Sequence, residues 1–389
     1  MVLKRVPVKD RMWLMAQLTD TLNGDDAMMP VGPQGAPNLV AQSPVDEQLP
    51  AGTSLVIHTS GSSGVPKFVA LSAAAIKASA VATNEHIGGA GQWLIALPTH
   101  LISGLQMLTR SILAETEPVF IDGKFKAADF IKRAQNLETE RRYTSLVPVQ
   151  LSQLLDYVDE NPKVLHILQR FNKILVGGQA TPLTLRQRAH ENGINITRTY
   201  GMTETAGGLI YDGVEIGDAR VRVRDGEVQL SGSMLALGYI GDNHLTSEKF
   251  VTDNNTRWFR TGDEGNLLGG MLTVTGRQDR VIVTGGTNVS LDEVERIATE
   301  IPNFEGAVAV SAPDAKWGNK VLLATDKHVE PIISSNSFHT LQNLVRERLG
   351  EAAVPRALVQ VERIYRLEGG KPDLRAIRTE VLEILEQKT

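Results

Sequence analysis

The amino-acid sequence predicts a two-domain α/β protein, on the evidence of three patterns. From Leu55 to Thr199, short apolar runs alternate with segments of helical periodicity, which indicates a mostly parallel sheet with helices on its faces. In residues 213–275, apolar and polar residues alternate among many glycines, which is typical of antiparallel strands or a small barrel. From about residue 280 to the end, strands and helices alternate over a length sufficient for a small α+β domain. We expect a large domain of residues 1–278 and a small one of residues 279–389.

The first half of the chain supplies the predicted parallel sheet. A helix is expected at Asp10–Leu22, and irregular structure at residues 29–52, which are rich in Pro, Gly and Gln. Buried strands are expected at Leu55–Ile57, Leu94–Leu97, Val119–Ile121, Leu146–Val147 and Ile174–Val176. Helices are expected at residues 72–86, 104–114, 127–137, 149–158 and 182–192. In the last of these, Thr181 is the expected capping residue and Pro182 the first helical residue.

The elements of the small domain are predicted from a helix-capping pattern and from apolar runs. Ser290 and Glu293 form a capping box, which predicts a helix that begins there. Strands are expected at residues 281–283 and 308–310, and two more helices at residues 338–349 and 373–387.

Composition excludes several classes of protein. The chain has 389 residues, a formal net charge of −5 and no cysteine. The charge argues against a nucleic-acid-binding protein, and the lack of cysteine excludes disulfides, iron–sulfur ligation and a cysteine nucleophile. The eight histidines show no His-Glu-x-x-His spacing, which argues against a catalytic zinc. Without a signal peptide or an apolar run that could span a bilayer, the sequence predicts a soluble cytoplasmic protein.

The strongest local signal is the segment His58-Thr59-Ser60-Gly61-Ser62-Ser63-Gly64-Val65-Pro66-Lys67, which follows a predicted strand. Hydroxyls and glycines before a lysine provide donors and an adaptable backbone for a polyphosphate. The spacing is not that of a Walker A motif, and by itself the segment is equally compatible with a solvated turn.

Three further motifs carry polar groups that suit a nucleotide. Tyr200-Gly201-Met202-Thr203-Glu204 follows a predicted strand, where an open α/β sheet binds ligands, and Glu204 is a candidate Mg²⁺ ligand. Asp263 and Arg277 are candidates to bracket a ribose and a phosphate, or to form a surface salt bridge. Lys371 follows Gly369-Gly370 and precedes Pro372, so it lies on a turn; such a lysine is usually a solvated loop cation.

Together and in this order, the four motifs resemble those of the AMP-forming acyl-CoA synthetase/adenylation superfamily. The phosphate loop of the superfamily is matched by Thr59–Lys67, and its Tyr-Gly-x-Thr-Glu motif by Tyr200–Glu204. Its Thr-Gly-Asp, Gly-Arg-x-Asp and Gly-Lys motifs are matched by Thr261–Asp263, Gly276–Asp279 and Gly370-Lys371. Two features depart from the pattern: only 58 residues precede Thr59, and Gly369 replaces the usual serine before Gly-Lys. Within the superfamily, Ala96–Gln106 with Arg110-Ser111, and Ser145–Leu151, look like 2-succinylbenzoate–CoA ligases of menaquinone synthesis.

The resemblance implies an enzyme that adenylates a carboxylate with ATP and Mg²⁺ and then transfers the acyl group to CoA. It implies that the β- and γ-phosphates bind to Thr59, Ser60, Gly61, Ser62, Ser63, Gly64 and Lys67. Glu204 would hold Mg²⁺, Thr203 would contact the α-phosphate, and Lys371 would bridge the carboxylate and the α-phosphate. The adenine would be bordered by Gly177, Gly178, Gln179, Tyr200 and Gly201. Asp263 would bind the ribose, and Arg277 the ribose or a phosphate.

The resemblance also implies a mobile C-terminal domain that rotates about Asp279 between the half-reactions and brings Gly285-Gly286 to a pantetheine tunnel. Because 2-succinylbenzoate has a second carboxylate, a cation or several donors must meet it. Our candidates are His100, Ser103, Gln106 and Arg110, although Arg110 equally suits a helix surface and His100 a gate to the tunnel. Three alternatives stay open: a different aryl or short acid as the substrate, a carrier protein as the acceptor, and a nucleotide-binding protein without catalytic activity. A homodimer is also possible from the sequence.

Overall fold

A computed structural model describes residues 2–32, 49–60 and 66–387 of the chain. The chain forms two compact units. The first comprises Met1–Arg222, Gln229–Thr261 and Leu268–Leu272, and the second comprises Val223–Val228, Gly262–Leu267 and Thr273–Thr389. The functional domain boundary expected between residues 278 and 279 stays a prediction.

One sheet of the first unit is built mainly from the start of the chain. Its strands, in spatial order, are β1 (Leu3–Pro7), β2 (Ala27–Val31), β3 (Leu55–Ser60), β4 (Pro66–Leu71) and β14 (Gly238–Tyr239). Strands β1, β2 and β3 are parallel to one another, whereas β3, β4 and β14 pair antiparallel. Helix α1 (Arg11–Asn23) joins β1 to β2, and its N-cap Asp10 accepts a hydrogen bond from the backbone of Trp13 at 2.9 Å.

The second sheet of this unit has seven strands and positions most of the predicted site residues. It contains β5 (Gln92–Ile95), β6 (Val119–Phe120), β7 (Arg142–Leu146), β8 (Lys173–Gly177), β9 (Ile196–Met202), β10 (Gly207–Tyr211) and β11 (Val214–Glu215). The spatial order is β11-β10-β9-β8-β7-β5-β6, and the pairs from β9 to β6 are parallel. This is the alternating, mostly parallel sheet that the apolar runs predict.

The helices of the first unit connect these strands. They are α2 (Ala73–His86), α3 (Ile102–Leu113), α4 (Ala127–Ala134), α5 (Pro148–Glu160), α6 (Leu165–Gln169), α7 (Leu183–Glu191) and α8 (Asn243–Lys249). Apolar side chains of α4 and α5, such as Phe130 and Leu155, pack with Leu146 and Ile174 of the sheet in one fully buried cluster. Burying each side chain of this size stabilises the fold by about 1.5–3 kcal/mol, so the sheet is a rigid support for the loops at its edge.

The glycine-rich region from residue 213 contains a third sheet, as the alternating pattern predicts. Its strands are β12 (Arg220–Arg224), β13 (Glu227–Ser231), β15 (Phe250–Asp253), β16 (Thr256–Leu268) and β17 (Met271–Arg277). The order is β12-β13-β16-β15, and β17 also pairs with β16. Strands β15 and β16 are antiparallel, with Phe250 opposite Phe259.

In the second unit, the described residues 281–387 form two small sheets and four α-helices. Its strands are β18 (Val281–Thr284), β19 (Thr287–Ser290), β20 (Val308–Asp314), β21 (Gly318–Thr325) and β22 (Leu358–Gln360). Its helices are α9 (Leu291–Ala298), α10 (Val329–Ser334), α11 (Ser337–Leu349) and α12 (Leu374–Glu386). Alternate residues of β20 face two cores: Ala309 packs in one cluster, and Val308 and Val310 pack in another. The sheet is therefore covered on both faces.

Two local predictions are wrong. Residues 29–31 belong to strand β2, although composition indicated irregular structure there, because all five residues of β2 are buried between β1 and β3. Pro182 is the N-cap of α7 rather than its first helical residue, with ψ at 147°, and among the described residues no side-chain hydrogen bond caps the start of this helix. None of the helices in the described ranges combines the length and the hydrophobicity that a membrane span requires.

Candidate active site

The carboxyl ends of two neighbouring parallel strands bring two predicted motifs together. Gly177, the last residue of β8, lies opposite Thr199 of β9. The residues expected to border adenine therefore lie beside the segment that leads into Glu204. Gly201 lies in β9 against the backbone of Gly207, where an added Cβ would overlap the Gly207 carbonyl oxygen, so only glycine fits this position. This is the edge of an open α/β sheet at which ligands bind.

A 3-10 turn, Thr203–Thr205, places Glu204 at this edge and is held by side-chain hydrogen bonds. The Thr205 hydroxyl accepts a hydrogen bond from the Met202 backbone at 3.0 Å and donates to the Gly207 carbonyl at 2.7 Å. Gln106, which is 1% exposed, donates from Nε2 to the Ala206 carbonyl at 2.7 Å and to the Ile76 carbonyl at 3.2 Å. The structure thus places this candidate substrate residue beneath the turn, as a support for its backbone.

Glu204 and Lys67 contact the same tyrosine side chain, Tyr239, at its hydroxyl and its ring respectively. The Tyr239 hydroxyl donates a hydrogen bond to Glu204 Oε1 at 2.8 Å. Lys67 Nζ lies 5.7 Å from the centroid of the Tyr239 ring, within the range of a cation–π contact. Burial and the Glu204 carboxylate raise the pKa of Tyr239, so the phenol stays protonated and remains a donor. Tyr239 was not predicted, because no local motif marks it and the pairing of β14 with β4 brings it to the site.

The predicted phosphate loop begins and ends in the β3–β4 hairpin. Thr59 of β3 pairs with Lys67 of β4, and Ser60 with Pro66. Residues 61–65, which include the predicted Gly61, Ser62, Ser63 and Gly64, lie outside the described part of the chain. His58 precedes them, and burial, followed by the charge of His100, lowers its pKa.

The candidate substrate residues of α3 differ in their environment. Ser103 is exposed, whereas Gln106 and Arg110 are buried. Arg110 is 3% exposed, donates to the Thr83 hydroxyl at 3.2 Å and lies 4.9 Å over the Trp93 ring. Among the described residues it forms no ion pair, and its Nε has no hydrogen-bond partner. Burial lowers the pKa of its guanidinium. A buried cation without a carboxylate partner is costly, so this position suits an anion.

In the second unit, one guanidinium joins two predicted carboxylates. Arg277 Nη1 lies 3.0 Å from Oδ1 of Asp263, which is 6% exposed. Arg277 also binds both oxygens of Asp279, at 2.9 Å and 3.1 Å. Asp279 and then Asp263 raise the pKa of Arg277, so its charge is permanent. The predicted ribose ligand and the predicted hinge residue are thereby linked within the same unit.

The Gly285-Gly286 turn connects β18 and β19 and packs on an aromatic ring. Gly285 has a φ of 57°, and its N–H donates to the Trp317 carbonyl at 2.8 Å. Arg356 and Lys316 lie over the Trp317 ring, at 5.1 Å and 5.5 Å from its centroid. Trp317 was not predicted, because it follows the turn by thirty-odd residues and lies outside the recognised motifs.

Lys371 is exposed on a tight turn, as its flanking residues predict. Its carbonyl accepts from the Leu367 N–H at 2.8 Å, and Gly370 has a φ of 82°. Arg366 supports the turn from the side by donating to the Gly370 carbonyl at 3.0 Å. The backbone of Lys371 is thus held by the second unit.

Comparison with known proteins agrees with these motifs. Residues 8–240 match the family described as AMP-binding enzyme. The chain is 34% identical over 373 residues to a probable 2-succinylbenzoate–CoA ligase of Mycobacterium tuberculosis strain H37Rv, with 94% of each chain covered. The chain belongs to the AMP-binding enzyme family. It is also 29% identical over 340 residues to the 2-succinylbenzoate–CoA ligase of Listeria monocytogenes strain EGD-e, with 82% of this chain and 68% of that one covered.

Solved structures show the same fold. The o-succinylbenzoate CoA synthetase from Bacillus subtilis, in complex with its acyl-adenylate intermediate, matches 93% of this chain with a TM-score of 0.70 and 23% identity, over 80% of its own length. The Escherichia coli enzyme, with a bound analogue, matches 100% of this chain and 88% of its own, with a TM-score of 0.73 and 21% identity. The predicted superfamily, the mixed α/β fold and the class of AMP-forming ligase are confirmed.

Proposed function

We propose that this chain is a 2-succinylbenzoate–CoA ligase, which converts 2-succinylbenzoate, ATP and CoA into 2-succinylbenzoyl-CoA, AMP and pyrophosphate in menaquinone biosynthesis. The observation that carries the proposal is the similarity, over 94% of both chains, to the mycobacterial protein with that probable function. Arg110 supports it, because this arginine is buried with no carboxylate partner among the described residues and the substrate brings a second carboxylate.

In the first step, a carboxylate oxygen of the acid attacks the α-phosphorus of ATP, and the bond to pyrophosphate breaks. Such a reaction depends on positioning and on stabilisation of phosphate charge. The phosphate-loop residues Thr59, Ser60, Gly61, Ser62, Ser63, Gly64 and Lys67 would hold the β- and γ-phosphates. Thr203 would contact the α-phosphate, and Lys371 would bridge it to the acid.

Glu204 would hold Mg²⁺ bound to ATP. The half-buried carboxylate uses Oε1 to accept from Tyr239, and a single carboxylate together with phosphate oxygens is a donor set that suits Mg²⁺. The ion would neutralise charge on the phosphates. No group of three or more His, Asp or Glu side chains in the described ranges has the geometry of a metal site, and phosphate oxygens and water would supply the remaining ligands of the ion.

The nucleoside would be held by two groups of residues. Gly177, Gly178 and Gln179, with Tyr200 and Gly201, would border the adenine at the ends of β8 and β9. Asp263 would accept hydrogen bonds from the ribose hydroxyls, while Arg277 would bind the ribose or a phosphate. Because Arg277 holds Asp263 at 3.0 Å, the carboxylate is oriented within the second unit.

The acid would be recognised along α3. Arg110 would meet the second carboxylate, with His100, Ser103 and Gln106 as further candidates. The contact of Gln106 with the Ala206 carbonyl favours a supporting function for that residue and leaves Arg110 as the cation of this group. A charge-assisted hydrogen bond to a buried carboxylate would compensate both desolvated charges.

In the second step, the thiol of CoA attacks the carbonyl carbon of the acyl-adenylate, and AMP leaves with the electron pair of the broken bond. We propose that residues 279–389 form a lid that turns about Asp279 between the steps and places Gly285-Gly286 beside the pantetheine arm. We further propose a cytoplasmic location, where ATP and CoA are available. A homodimer stays a prediction.

The experiment is to incubate the purified protein with ATP, Mg²⁺ and 2-succinylbenzoate, with and without CoA, and to identify the products by mass. A succinylbenzoyl-CoA product that requires both ATP and CoA is expected. Pyrophosphate release without a thioester would point to another acceptor, and reaction with other acids alone would refute the substrate.

The matched variants are Lys371→Ala and Lys327→Ala. Lys327 is an exposed lysine of the second unit that pairs with Glu305 at 2.6 Å. Lys371→Ala should slow pyrophosphate release by about a hundredfold or more, because it removes a charge from the transition state. It should leave the reaction of a synthetic acyl-adenylate with CoA within about threefold. Lys327→Ala should change neither step; equal loss in both variants would contradict the function assigned to Lys371.

A further inference from the structure

Tyr239 occupies a position between the two charged groups expected to meet the ATP phosphates. Its hydroxyl binds Glu204 and its ring faces Lys67, so one side chain contacts both. In the described part of the chain, Lys67 and Glu204 form no ion pair with each other, although each contacts the Tyr239 side chain.

The sheet explains how Tyr239 reaches this position. Tyr239 lies opposite Val69 in the pairing of β14 with β4. Since alternate residues of a strand share a face, Lys67 and Val69 point the same way, and Lys67 is the diagonal neighbour of Tyr239. The contact between the ring and the ammonium group is therefore set by register.

The backbone around Tyr239 is held from two further directions. Its N–H donates to the Thr246 hydroxyl of α8 at 2.9 Å. Arg257 donates to the carbonyls of Ala236 and Leu237 at 2.6 Å and 2.9 Å. The Ala236 N–H in turn donates to the Glu204 carbonyl at 2.8 Å. The segment that carries Tyr239 thus forms hydrogen bonds with both the backbone and the carboxylate of Glu204.

A glutamate side chain loses up to about 2 kcal/mol of conformational entropy when it is fixed, and a ligand that must fix it loses that much affinity. Tyr239, which is 5% exposed, fixes Oε1 before any metal binds. The other carboxylate oxygen of Glu204 is then available to a metal ion without further loss of side-chain entropy.

We propose that Tyr239 is a positioning residue for Mg²⁺·ATP: its hydroxyl orients Glu204 for the metal while its ring holds Lys67 apart from that carboxylate. The inference rests on the proposed function, since it assumes that Glu204 meets Mg²⁺ and Lys67 meets phosphate. It predicts that loss of the Tyr239 hydroxyl raises the Mg²⁺ concentration that the reaction requires. It also predicts that a side chain that keeps the ring without the hydroxyl preserves the fold.

The test is Tyr239→Phe, with Tyr143→Phe as the matched control. Tyr143 is also buried, and its hydroxyl donates to the Gly89 carbonyl at 3.0 Å, away from the predicted site. In Tyr239→Phe, the Mg²⁺ concentration for half-maximal pyrophosphate release should rise about ten- to a hundredfold, as is usual when a hydrogen bond to a metal ligand is lost. The rate at saturating Mg²⁺ should fall by less than about threefold.

Calorimetric titration with ATP gives a readout that does not depend on turnover. At limiting Mg²⁺, the affinity of Tyr239→Phe for ATP should fall by the same factor, whereas its affinity for metal-free ATP should stay that of the wild type. In a Glu204→Ala background, Tyr239→Phe should add less than about twofold, because a residue that acts through Glu204 has no effect without it.

An unchanged Mg²⁺ requirement in Tyr239→Phe, an equal shift in Tyr143→Phe, or a full additional loss in the Glu204→Ala background would each overturn the inference. Wild-type protein that binds Mg²⁺·ATP but makes no succinylbenzoyl-CoA would refute the proposed substrate and leave this test intact. Wild-type protein without Mg²⁺-dependent ATP binding would overturn both.

Discussion

Replacing Arg110 by methionine should separate stability from substrate recognition. Arg110 is 3% exposed and makes its hydrogen bond to Thr83 at 3.2 Å and its contact with the Trp93 ring at 4.9 Å. These contacts stabilise the fold by about 1–2 kcal/mol each. An unpaired, desolvated guanidinium costs several kcal/mol, and methionine fills a similar space without that cost. We expect Arg110→Met to keep its stability or to gain about 1–3 kcal/mol.

The same change should impair use of 2-succinylbenzoate. A carboxylate left buried without its cation costs about 3 kcal/mol, which corresponds to a roughly hundredfold loss in kcat/KM. Because the second carboxylate is remote from the reacting one, the loss should lie mainly in KM. An acid that lacks the ring carboxylate, 4-oxo-4-phenylbutanoate, should be used at least as well by the variant as by the wild type.

The assays are denaturant unfolding and initial rates of pyrophosphate release with both acids. The control is Arg142→Met, which removes a partly buried arginine that donates to the Leu137 carbonyl at 3.2 Å and that carries no assigned function. Two results would refute the reasoning: a loss of several kcal/mol of stability in Arg110→Met, or an unchanged preference between the two acids.

Two other perturbations test the turn and the buried histidine. Gly285→Ala should destabilise the protein by about 1–3 kcal/mol more than Gly286→Ala, because both residues have positive φ but only the Cβ at 285 would overlap the Trp317 ring. Gly285→Ala should also slow thioester formation more than pyrophosphate release. Equal behaviour of the two variants in unfolding and rate assays would contradict the contact between Gly285 and Trp317. Since the folded state lowers the pKa of His58 below the usual 6.5, the unfolded chain binds more protons in the window just below 6.5, and stability should fall as the pH falls through that window. His58→Gln should flatten this part of a plot of Tm against pH, and a parallel curve would show that His58 does not contribute.

Local sequence patterns were sufficient for much of the fold. The apolar runs near Leu94 and Ile174 and the intervening helical spacings predict the parallel sheet, because each run is long enough to be buried on both faces. Motif order also predicted the family. The prediction failed at strand β2, whose five residues are buried because β1 and β3 flank it.

Which residues are available to bind a nucleotide follows from the sequence alone, because hydroxyls, glycines and charges at characteristic spacings are local properties of the chain. Which partners these residues contact depends on the fold. Tyr239 contacts Lys67 and Glu204 through the register of β14 on β4, and Arg277 joins Asp263 to Asp279. Arg110 is buried with no carboxylate partner in the part of the chain that the structure describes. Each of these depends on contacts between distant segments, and hydrophobic periodicity carries no information about which segments pair.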